Sequence, residues 1–324
     1  MTISRRTLLA GLAATPLLAA CGTSDTPAAP AAGSSAPSGF RWTDGRGRVI
    51  DLPSVPTNVV AQSSAAAALW DAGFKVRGAY GELKTTDGKL DYQAGNLDLS
   101  QVQVIGSTYG EFSLEKLAAA TPGLLIDLSF DDKTLWYVDA KVEQQVTALC
   151  PTLGVKMLDL NLVEVIESFT DLAVQLGADP AAAAPAKAGF EEASAALRTT
   201  IGASKGATIT AFSFDADNAY VSNADSAPDL AYVKSLGGQF RDARDVSPDY
   251  FATISYEKLD DYAGDIVMVD ARNTYKGYRD QPTWKALTAV KEGRVFEWFP
   301  AAPYSYAASV GILQGFGKAY ASAG

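Results

Sequence analysis

Short apolar runs alternate with amphipathic segments along most of the chain. Polar turns or glycines separate many of them, as at Gln62-Ser63-Ser64 and Gly73. Apolar runs such as 266–269 suit strands that are covered on both faces. Because such strands alternate with helical segments, the pattern predicts parallel sheets with helices on both faces. The expected strands are a hairpin over 40–51, followed by 58–61, 75–79, 102–105, 124–127, 155–158, 208–212, 266–269 and 294–298.

One long helical segment divides this pattern into two halves. Asp179-Pro180 is a helix start signal, and the Ala-rich stretch after it continues to about Ile201. We therefore predict an α/β fold with two Rossmann-like lobes, residues 40–178 and 204–324, whose parallel sheets are joined through a single long helix at 179–203.

A short motif occurs once in each half. Ser113-Leu114-Glu115-Lys116-Leu117 and Ser255-Tyr256-Glu257-Lys258-Leu259 each precede a predicted buried strand by the same spacing. A Ser two residues before a Glu is a weak form of the N-capping pattern. The repetition predicts two similar lobes that each place one Glu at the start of a helix. The alternative is two unrelated helix-to-strand joints.

The N-terminus has the pattern of an export signal. Arg5-Arg6 precedes an apolar run that ends at Leu18. Residues 1–20 are therefore predicted to be a signal peptide, and the paired arginines resemble a twin-arginine signal.

The end of this signal carries a candidate lipidation site. Leu18-Ala19-Ala20-Cys21-Gly22 resembles the lipobox of bacterial lipoproteins, which makes Cys21 the expected site of lipid attachment. Residues 21–39 are rich in Ala, Pro, Ser and Gly and are predicted to form a disordered tether. The alternative is an ordinary secretory signal with an incidental Cys.

Composition excludes several classes of function. The formal net charge is −10, and removal of residues 1–20 with their two arginines makes it −12. An acidic protein repels nucleic acid and anionic lipid head groups, so we expect no nucleic-acid partner. The chain has no His, and Cys150 is the only Cys after Cys21. No internal disulfide, protein-ligated metal or other cofactor is therefore expected.

Two catalytic patterns occur without their partners. Gly202-Ala203-Ser204-Lys205-Gly206 fits the nucleophile elbow of hydrolases, but it follows a predicted helix and the chain has no His. The Ser-x-x-Lys of each repeated motif fits serine acyl enzymes, but the accompanying motifs are missing. The protein is therefore not expected to be an enzyme. An extracytoplasmic, lipid-anchored hydrolase or cell-wall enzyme is the alternative.

The organisation of residues 40–324 resembles the solute-binding lipoproteins of ABC importers, of the iron-siderophore, haem and cobalamin type. The most specific piece is Trp284-Lys285-Ala286-Leu287 together with residues 289–295, and the two repeated motifs add to it. The chain departs from the family at two turns. Gly123 stands where the family usually has Asp, and Asp265 is kept without the preceding Pro.

The resemblance implies a receptor that works with a membrane permease. Glu115 and Glu257 match the Glu that docks onto basic residues of the permease in this family. Charges at the rim of an interface mainly set association rate and orientation. The alternative is two solvated carboxylates favoured by the helix dipole. The expected partners are an ABC permease dimer with its ATPase subunits and the outer face of the cytoplasmic membrane, reached through the lipid on Cys21. We expect a monomer.

The resemblance also places the ligand between the lobes, at loops beyond the carboxyl ends of the strands. These loops are rich in aromatic side chains, which suits a broad apolar cleft for a bulky ferric chelate whose iron is already coordinated. The predicted ligand-binding residues are Gln62, Ser63, Tyr80, Tyr109, Trp136, Tyr137, Phe214, Tyr220, Arg272, Tyr275, Trp298 and Tyr304, with Phe112, Tyr250, Phe299 and Tyr306 as further aromatic residues of the same loops.

The candidate ligands can be distinguished by their charge. A ferric tris-catecholate is strongly negative and calls for clustered basic residues, whereas Arg272, Lys276 and Arg279 are the only local group. A neutral or cationic hydroxamate chelate fits an acidic protein with an aromatic cleft and is the preferred ligand. Haem, with an axial Tyr, or cobalamin is the alternative. The sequence thus predicts a lipid-anchored receptor that binds a ferric siderophore and delivers it to an ABC permease.

Overall fold

A computed structural model describes residues 39–108 and 110–324 of the chain. The predicted signal peptide, Cys21 and the predicted tether as far as residue 38 lie outside the described residues, and so does Tyr109. Within the described ranges, no helix is both long enough and apolar enough to cross a membrane.

The described chain begins with the antiparallel hairpin of β1 (Phe40–Thr43) and β2 (Val49–Leu52), which the alternating pattern predicts. A buried ion pair fastens the hairpin to the first lobe. Nη2 of Arg46 lies 2.7 Å from Oδ2 of Asp44, and its Nη1 lies 3.2 Å from Oε1 of Glu143. Since the side chains of Arg46 and Asp44 are 1% and 0% exposed, the hairpin is part of the first lobe's fold.

The first lobe is built on a parallel sheet. Its strands are β3 (Val59–Gln62), β4 (Gly78–Tyr80), β5 (Gln103–Val104), β6 (Leu124–Ser129) and β7 (Thr152–Lys156). They are ordered β5-β4-β3-β6-β7, and each neighbouring pair is parallel, as predicted. The chain leaves β3 first towards β4 and later returns to β6 on the other side. The topological switch point, where open sheets of this kind bind ligands, therefore lies between β3 and β6.

Helices flank this sheet. They are α1 (Ser63–Asp71), α2 (Leu114–Ala120), α3 (Ala140–Leu149) and α4 (Leu162–Gln175), with a 3-10 turn at Tyr92–Ala94. Ser113 caps α2, because its Oγ accepts the Lys116 N–H at 3.2 Å. Asn161 caps α4 in a capping box with Glu164. α3 is an element that the sequence pattern did not predict.

The linking helix α5 (Ala184–Ala203) follows the first lobe. It begins five residues later than the predicted start at Asp179. Asp179 instead forms a turn in which its Oδ1 accepts the Ala181 N–H at 2.9 Å, and Pro185 lies in the first turn of the helix proper.

The second lobe is built on a mixed sheet. Its strands are β8 (Thr208–Phe214), β9 (Asn218–Ser222), β10 (Gln239–Phe240), β11 (Phe251–Ser255), β12 (Ile266–Asp270) and β13 (Val295–Trp298). The order is β11-β9-β8-β12-β13, and β10 pairs with the start of β8.

The prediction of a parallel sheet in this lobe is wrong for one strand. β9 runs antiparallel to both β8 and β11. The reason is the tight connection between β8 and β9, where Oδ1 of Asp215 accepts the N–H groups of Asp217 and Asn218 at 2.8 and 2.7 Å. Such a short turn can join only antiparallel strands, since a parallel pair needs a long crossover.

The helices of the second lobe are α6 (Pro228–Ser235), α7 (Leu259–Tyr262), α8 (Pro282–Ala286), α9 (Thr288–Lys291) and α10 (Tyr306–Ala321). Two of them are shorter than predicted. The helix expected from Ser255 is a 3-10 turn at Tyr256–Lys258 followed by α7. The helix expected at 284–290 is interrupted by Leu287, whose ψ of 134° is extended.

A single buried cluster runs through both lobes. It includes Ile126 and Phe169 of the first lobe, and Ile209, Trp298 and Leu313 of the second. Two smaller clusters cover the outer faces of the sheets, one of them around Phe214 of β8 and the other around Leu125 of β6. The lobes therefore share one core, and both belong to the same compact unit.

Candidate functional site

A cleft between the lobes collects the loops that follow several strands. Its main cavity has a volume of about 760 Å³. Tyr137 enters it from the loop after β6, Arg272 and Asn273 from the loop after β12, and Phe299 from the residue after β13. This is the edge at which α/β sheets bind ligands.

A second, smaller chamber adjoins this cavity. It has a volume of about 230 Å³, and Arg272 lines both spaces. The smaller chamber is lined by Phe130, Trp136, Tyr250, Phe251, Arg272 and Ala301. Both lobes therefore contribute to its wall.

Arg272 is held at the boundary by a buried acid. Its Nη2 lies 2.7 Å from Oδ2 of Asp270, and its Nε donates to Oδ1 at 3.0 Å. The side chain of Asp270, the last residue of β12, is 3% exposed, and that of Arg272 is 26% exposed. The guanidinium carbon lies 5.7 Å from the ring centroid of Trp136 in the other lobe, within cation–π range. The positive charge of Arg272 is thus already compensated, and its position is fixed.

Aromatic side chains also meet across the cleft. The ring of Phe130 packs edge to face on Tyr250, with centroids 5.8 Å apart. The hydroxyl of Tyr92 donates to the Pro300 carbonyl at 2.7 Å, and its ring contacts Phe299 at 5.2 Å. Residues that line each of the two cavities therefore make direct contacts between the lobes.

A buried carboxylate supports the cleft floor on the second lobe. The indole Nε1 of Trp298 donates to Oδ2 of Asp229 at 2.6 Å, and both residues are buried. Burial raises the pKa of Asp229 to about 6, and the hydrogen bond from Trp298 opposes this shift. Phe251, which lines the smaller chamber, packs against Trp298 at 6.3 Å. Trp298 therefore supports the wall from behind.

A second buried carboxylate positions the loop of the first lobe. Asp127 accepts the N–H of Leu128 at 2.7 Å and the N–H of Tyr137 at 3.1 Å. Burial raises the pKa of Asp127 to about 7, although hydrogen bonds to these amides and to Tyr80 lower it. Asp127 thus holds the backbone of Tyr137 at the cleft wall.

Trp136, Tyr137 and Arg272 are the predicted ligand-binding residues that line the two cavities. Tyr250 and Phe299, which the sequence placed among the further loop aromatics, line them as well. Tyr109 lies outside the described residues.

Several other predicted residues are buried, which corrects the expectation that they face the ligand. Phe214 stacks on Tyr278 at 4.3 Å on the outer face of the second sheet, and Tyr304 stacks on Phe169 at 6.2 Å within the shared core. Tyr80 packs under the first lobe's loops, edge to face on Phe112. Trp298 is buried behind Phe251, as described above.

Gln62 and Ser63 are also buried, because they start α1. Oε1 of Gln62 accepts the N–H groups of Ser64 and Ala65 at 2.9 and 3.2 Å, and its Nε2 donates to Oγ of Ser63 at 3.0 Å. Their polarity therefore serves the helix N-terminus.

Tyr220, Tyr275 and Tyr306 lie beside other partners. The hydroxyl of Tyr220 donates to the carboxylate of Asp215 at the β8–β9 turn. Tyr275 packs on the outer cluster of the second lobe. Tyr306 packs against the linking helix through Phe190, with centroids 5.3 Å apart.

The sequence did not point to several residues that line the cavities: Phe130, Phe251, Tyr92, Gln93, Asn273 and Ala301. Phe130 follows β6 directly, and this position at the end of a strand is the only sequence signal for its place in the cavity wall. Phe251 begins β11, a strand that its sequence pattern did not reveal.

The two motif glutamates lie at the surface. Glu115 is exposed in the first turn of α2. Glu257 is exposed in the 3-10 turn before α7, and a hydrogen bond with the Ser255 side chain lowers its pKa. Each lobe therefore presents one exposed motif carboxylate at the start of a helical segment.

Metal-binding side chains are not grouped in the described part of the chain. Within residues 39–108 and 110–324, no cluster of three or more His, Cys, Asp or Glu side chains could hold a metal ion. Cys150 is buried, and burial raises the pKa of its thiol to about 11.

Two α/β lobes with a cleft at the ends of their strands define a bilobal ligand-binding protein. The family model described as periplasmic binding protein matches residues 59–302, and the chain belongs to this family. The resemblance to solute-binding proteins of ABC importers is thereby confirmed.

Two similar proteins have a sequence identity of 25% or more to this chain. The chain is 25% identical over 308 residues to the iron(3+)-hydroxamate-binding protein FhuD of Bacillus subtilis (strain 168), covering 89% of this chain and 87% of that protein. It is 35% identical to DesE, a ferric-siderophore receptor protein from Streptomyces coelicolor, with a TM-score of 0.79 over 87% of this chain and 98% of DesE. FhuD2 from Staphylococcus aureus, solved with bound ferrioxamine B, shares the fold at 18% identity and a TM-score of 0.60, covering 82% of this chain and 99% of FhuD2.

Proposed function

We propose that this protein binds a ferric siderophore between its lobes and delivers it to an ABC permease from the outer side of the membrane. The observation that carries the proposal is the cleft of about 760 Å³, lined by side chains of both lobes. Its volume is within the range of small-molecule sites, about 300–1,000 Å³. The relatives FhuD and DesE are described as iron(3+)-hydroxamate-binding and as a ferric-siderophore receptor. The family is one of binding proteins, so no catalytic step is proposed.

The charge of the cleft favours a chelate of hydroxamate type. The larger cavity is lined by acidic and basic side chains in balance, with Glu82, Asp91 and Glu297 against Lys84, Arg272 and Lys276. The charge of Arg272 is further compensated by the buried Asp270. A multiply charged tris-catecholate would lose its hydration without enough positive charge in return. A neutral or cationic hydroxamate chelate avoids this cost.

The iron remains with its chelator in this proposal. The chain has no His, and the cleft wall consists mainly of aromatic, amide and balanced charged side chains. Such a surface recognises the organic shell of a chelate, so ferric iron is cargo and the protein provides no ligand to it.

Isothermal titration calorimetry with a panel of ligands tests this function. The panel contains ferrioxamine B, its iron-free form, a ferric tris-catecholate, haem and cobalamin. We expect saturable binding of the ferric hydroxamate, at least about tenfold tighter than binding of the others. Tighter binding of the tris-catecholate would overturn the hydroxamate preference, and binding of haem or cobalamin alone would replace the siderophore. No binding of any ligand would contradict the function itself.

We propose Glu115 and Glu257 as the contacts with the permease. Each lobe presents one of these exposed carboxylates, so the pair is suited to a partner with two basic sites. In cells, the double variant Glu115→Ala, Glu257→Ala should retain siderophore affinity and lose most uptake. The matched control is Glu167→Ala, Glu191→Ala, which removes the same charge from exposed helix positions. Equal uptake by both double variants would refute the assignment.

The proposed anchor is a lipid on Cys21, which keeps a monomeric receptor at the outer face of the cytoplasmic membrane. The support is the lipobox-like sequence around Cys21. A Cys21→Ser variant should appear in the soluble extracytoplasmic fraction, whereas the unchanged protein should sediment with membranes. Retention of the variant in membranes would exclude the lipid anchor.

A further inference from the structure

We propose that the ligand carries an uncharged, apolar arm beside its ferric chelate, and that this arm lies in the smaller chamber while the chelate occupies the larger cavity. The inference rests on the proposed function and specifies which siderophores fit it best.

The wall of the smaller chamber is mainly aromatic. Phe130 and Trp136 face it from the first lobe, and Tyr250 and Phe251 from the second. The rings are locked into one unit by edge-to-face contacts: Phe130 with Trp136 at 5.1 Å, Phe130 with Tyr250 at 5.8 Å and Tyr250 with Phe251 at 4.8 Å. Fixed aromatic faces of this kind bind alkyl groups by burying their surface.

The chamber and the larger cavity share one lining residue. Arg272 lines both spaces, and the ion pair with Asp270 together with the contact to Trp136 fixes its side chain between them. A ligand seated in the larger cavity therefore has the smaller chamber as its immediate neighbour. The two spaces fit two chemically different parts of one molecule.

Size and charge identify the occupant of the smaller chamber. Its volume of about 230 Å³ is below the usual range for a whole small-molecule ligand, so a second chelate would not fit. Among the described residues that line the chamber, Arg272 is the only one with a charged side chain, and Asp270 compensates that charge. A charged arm would therefore lose its hydration without a partner, whereas an acyl or alkyl arm gains by leaving water.

A pair of synthetic ligands isolates the arm. Ferrioxamine B ends in a primary amine, so its N-acetyl and N-hexanoyl derivatives have the same charge and differ by four methylene groups. A fully buried methylene group tightens binding by about fourfold. Because the chamber is partly open, we expect the hexanoyl derivative to bind at least about tenfold more tightly than the acetyl derivative in calorimetric titrations.

A matched pair of variants locates the arm. Phe130→Ser alters the smaller chamber, and Phe299→Ser alters the larger cavity by the same exchange. We expect Phe130→Ser to reduce the hexanoyl-to-acetyl affinity ratio to about threefold or less. Phe299→Ser should weaken binding of both derivatives by a similar factor and keep the ratio. Near-ultraviolet circular dichroism and thermal unfolding of each variant verify that it is folded.

The outcomes separate this inference from the function on which it rests. Equal affinity of the unchanged protein for both derivatives would overturn the apolar arm while leaving siderophore binding intact. A chain-length effect that persists in Phe130→Ser would also overturn it, since the arm would then lie elsewhere. Binding of neither derivative, together with no binding of ferrioxamine B, would contradict the proposed function itself.

Discussion

The ion pair between the buried Asp270 and the partly exposed Arg272 ties the stability of the second lobe to the selectivity of the cleft. Replacing Asp270 with Asn leaves the guanidinium of Arg272, 26% exposed, without its countercharge. We expect Asp270→Asn to lower the free energy of unfolding by about 2–3 kcal/mol in urea titrations. The uncompensated charge should also narrow the affinity gap between ferric tris-catecholate and ferric hydroxamate.

A surface pair provides the control for this change. Oδ1 of Asp280 lies 3.5 Å from Nζ of Lys285, and both side chains are exposed. Asp280→Asn should therefore change the free energy of unfolding by at most about 0.5 kcal/mol. If Asp270→Asn and Asp280→Asn were equally mild, Arg272 would not depend on its buried partner.

Asp127 should make the free energy of unfolding depend on pH. Its folded-state pKa of about 7 lies above the ordinary value of 3.8, so between these pH values the native state holds a proton that the unfolded chain has released. Raising the pH through this window therefore removes stability. Asp127→Asn cannot titrate there. From pH 5 to 7.5, the unchanged protein should lose about 2 kcal/mol more of its unfolding free energy than the variant.

Urea titrations at the two pH values measure this difference. Because all other titrating groups remain in both proteins, their contributions cancel in the comparison. The same pH dependence in both proteins would show that Asp127 does not carry a proton at pH 5 in the native state.

Individual site residues were predictable only in part. Trp136, Tyr137 and Arg272 follow strand ends, and polar or aromatic side chains at such positions indicate a ligand site in α/β sheets. Trp298 and Tyr304 occupy similar positions but point into the core. Which way a side chain at a strand end points depends on sheet twist and on packing by distant elements, and the local pattern contains neither.

One residue, Arg46, anchors the N-terminal hairpin to the first lobe. Arg46 makes contacts with Asp44, Glu143 and the Thr152 carbonyl, the last at 2.9 Å. Arg46→Ala leaves the buried carboxylate of Asp44 without its countercharge, so we expect a loss of about 3–5 kcal/mol in the free energy of unfolding. Arg41→Ala removes an exposed pair with Asp51 and should cost at most about 1 kcal/mol. Equal losses in urea titrations would contradict the role of Arg46 as the anchor of the hairpin.

Most elements of the first lobe could be predicted, and fewer of the second. Strands β3, β4, β6 and β7 are short buried runs bounded by turn signals, which the local sequence pattern reveals well. β11 alternates between buried and more exposed positions, and β9 is half-buried at two of its five positions. β11 pairs with β9, and β9 pairs with both β11 and β8. Their strand character therefore comes from tertiary pairing, and the sequence of either strand alone does not specify it.

The mixed sheet also explains why the helix at the second motif is shorter than predicted. Ser255 pairs with Asn218 at the end of β11, so the helical segment can begin only after it. Ser113 has no such pairing and caps α2. The same five-residue motif thus gives a seven-residue helix in one lobe and a 3-10 turn with a short helix in the other, because of different neighbours.

At the scale of the whole molecule, the lobes are joined by more than the linking helix. Besides the shared core, Oγ of Ser305 donates to Oδ2 of Asp71 at 2.6 Å, and Phe169 stacks on Tyr304. Packed interfaces of this kind favour small sliding movements over wide hinge rotation. We therefore expect a ligand to enter by movement of the cleft loops. In particular, the contacts of Phe130 with Tyr250 and of Arg272 with Trp136 should open.

The sequence pattern of one long helix between two α/β halves was sufficient to predict the two-lobed architecture. It was not sufficient to predict the core that runs through both lobes. A sequence shows which helix faces are apolar, and not which distant face covers them. Here α4 and α6 pack against each other across the lobe boundary. Such long-range pairing is decided by the assembled sheets.

The fluorescence of Trp136 tests the central claim, that a ferric hydroxamate binds in the cleft between the lobes. Trp136 lines the smaller chamber and contacts Arg272 across it, so a bound ferric chelate should quench its emission. In titrations with ferrioxamine B, we predict saturable quenching of the unchanged protein and a clearly smaller amplitude for Trp136→Phe. The absence of quenching, or an unchanged amplitude in Trp136→Phe, would contradict binding at this site.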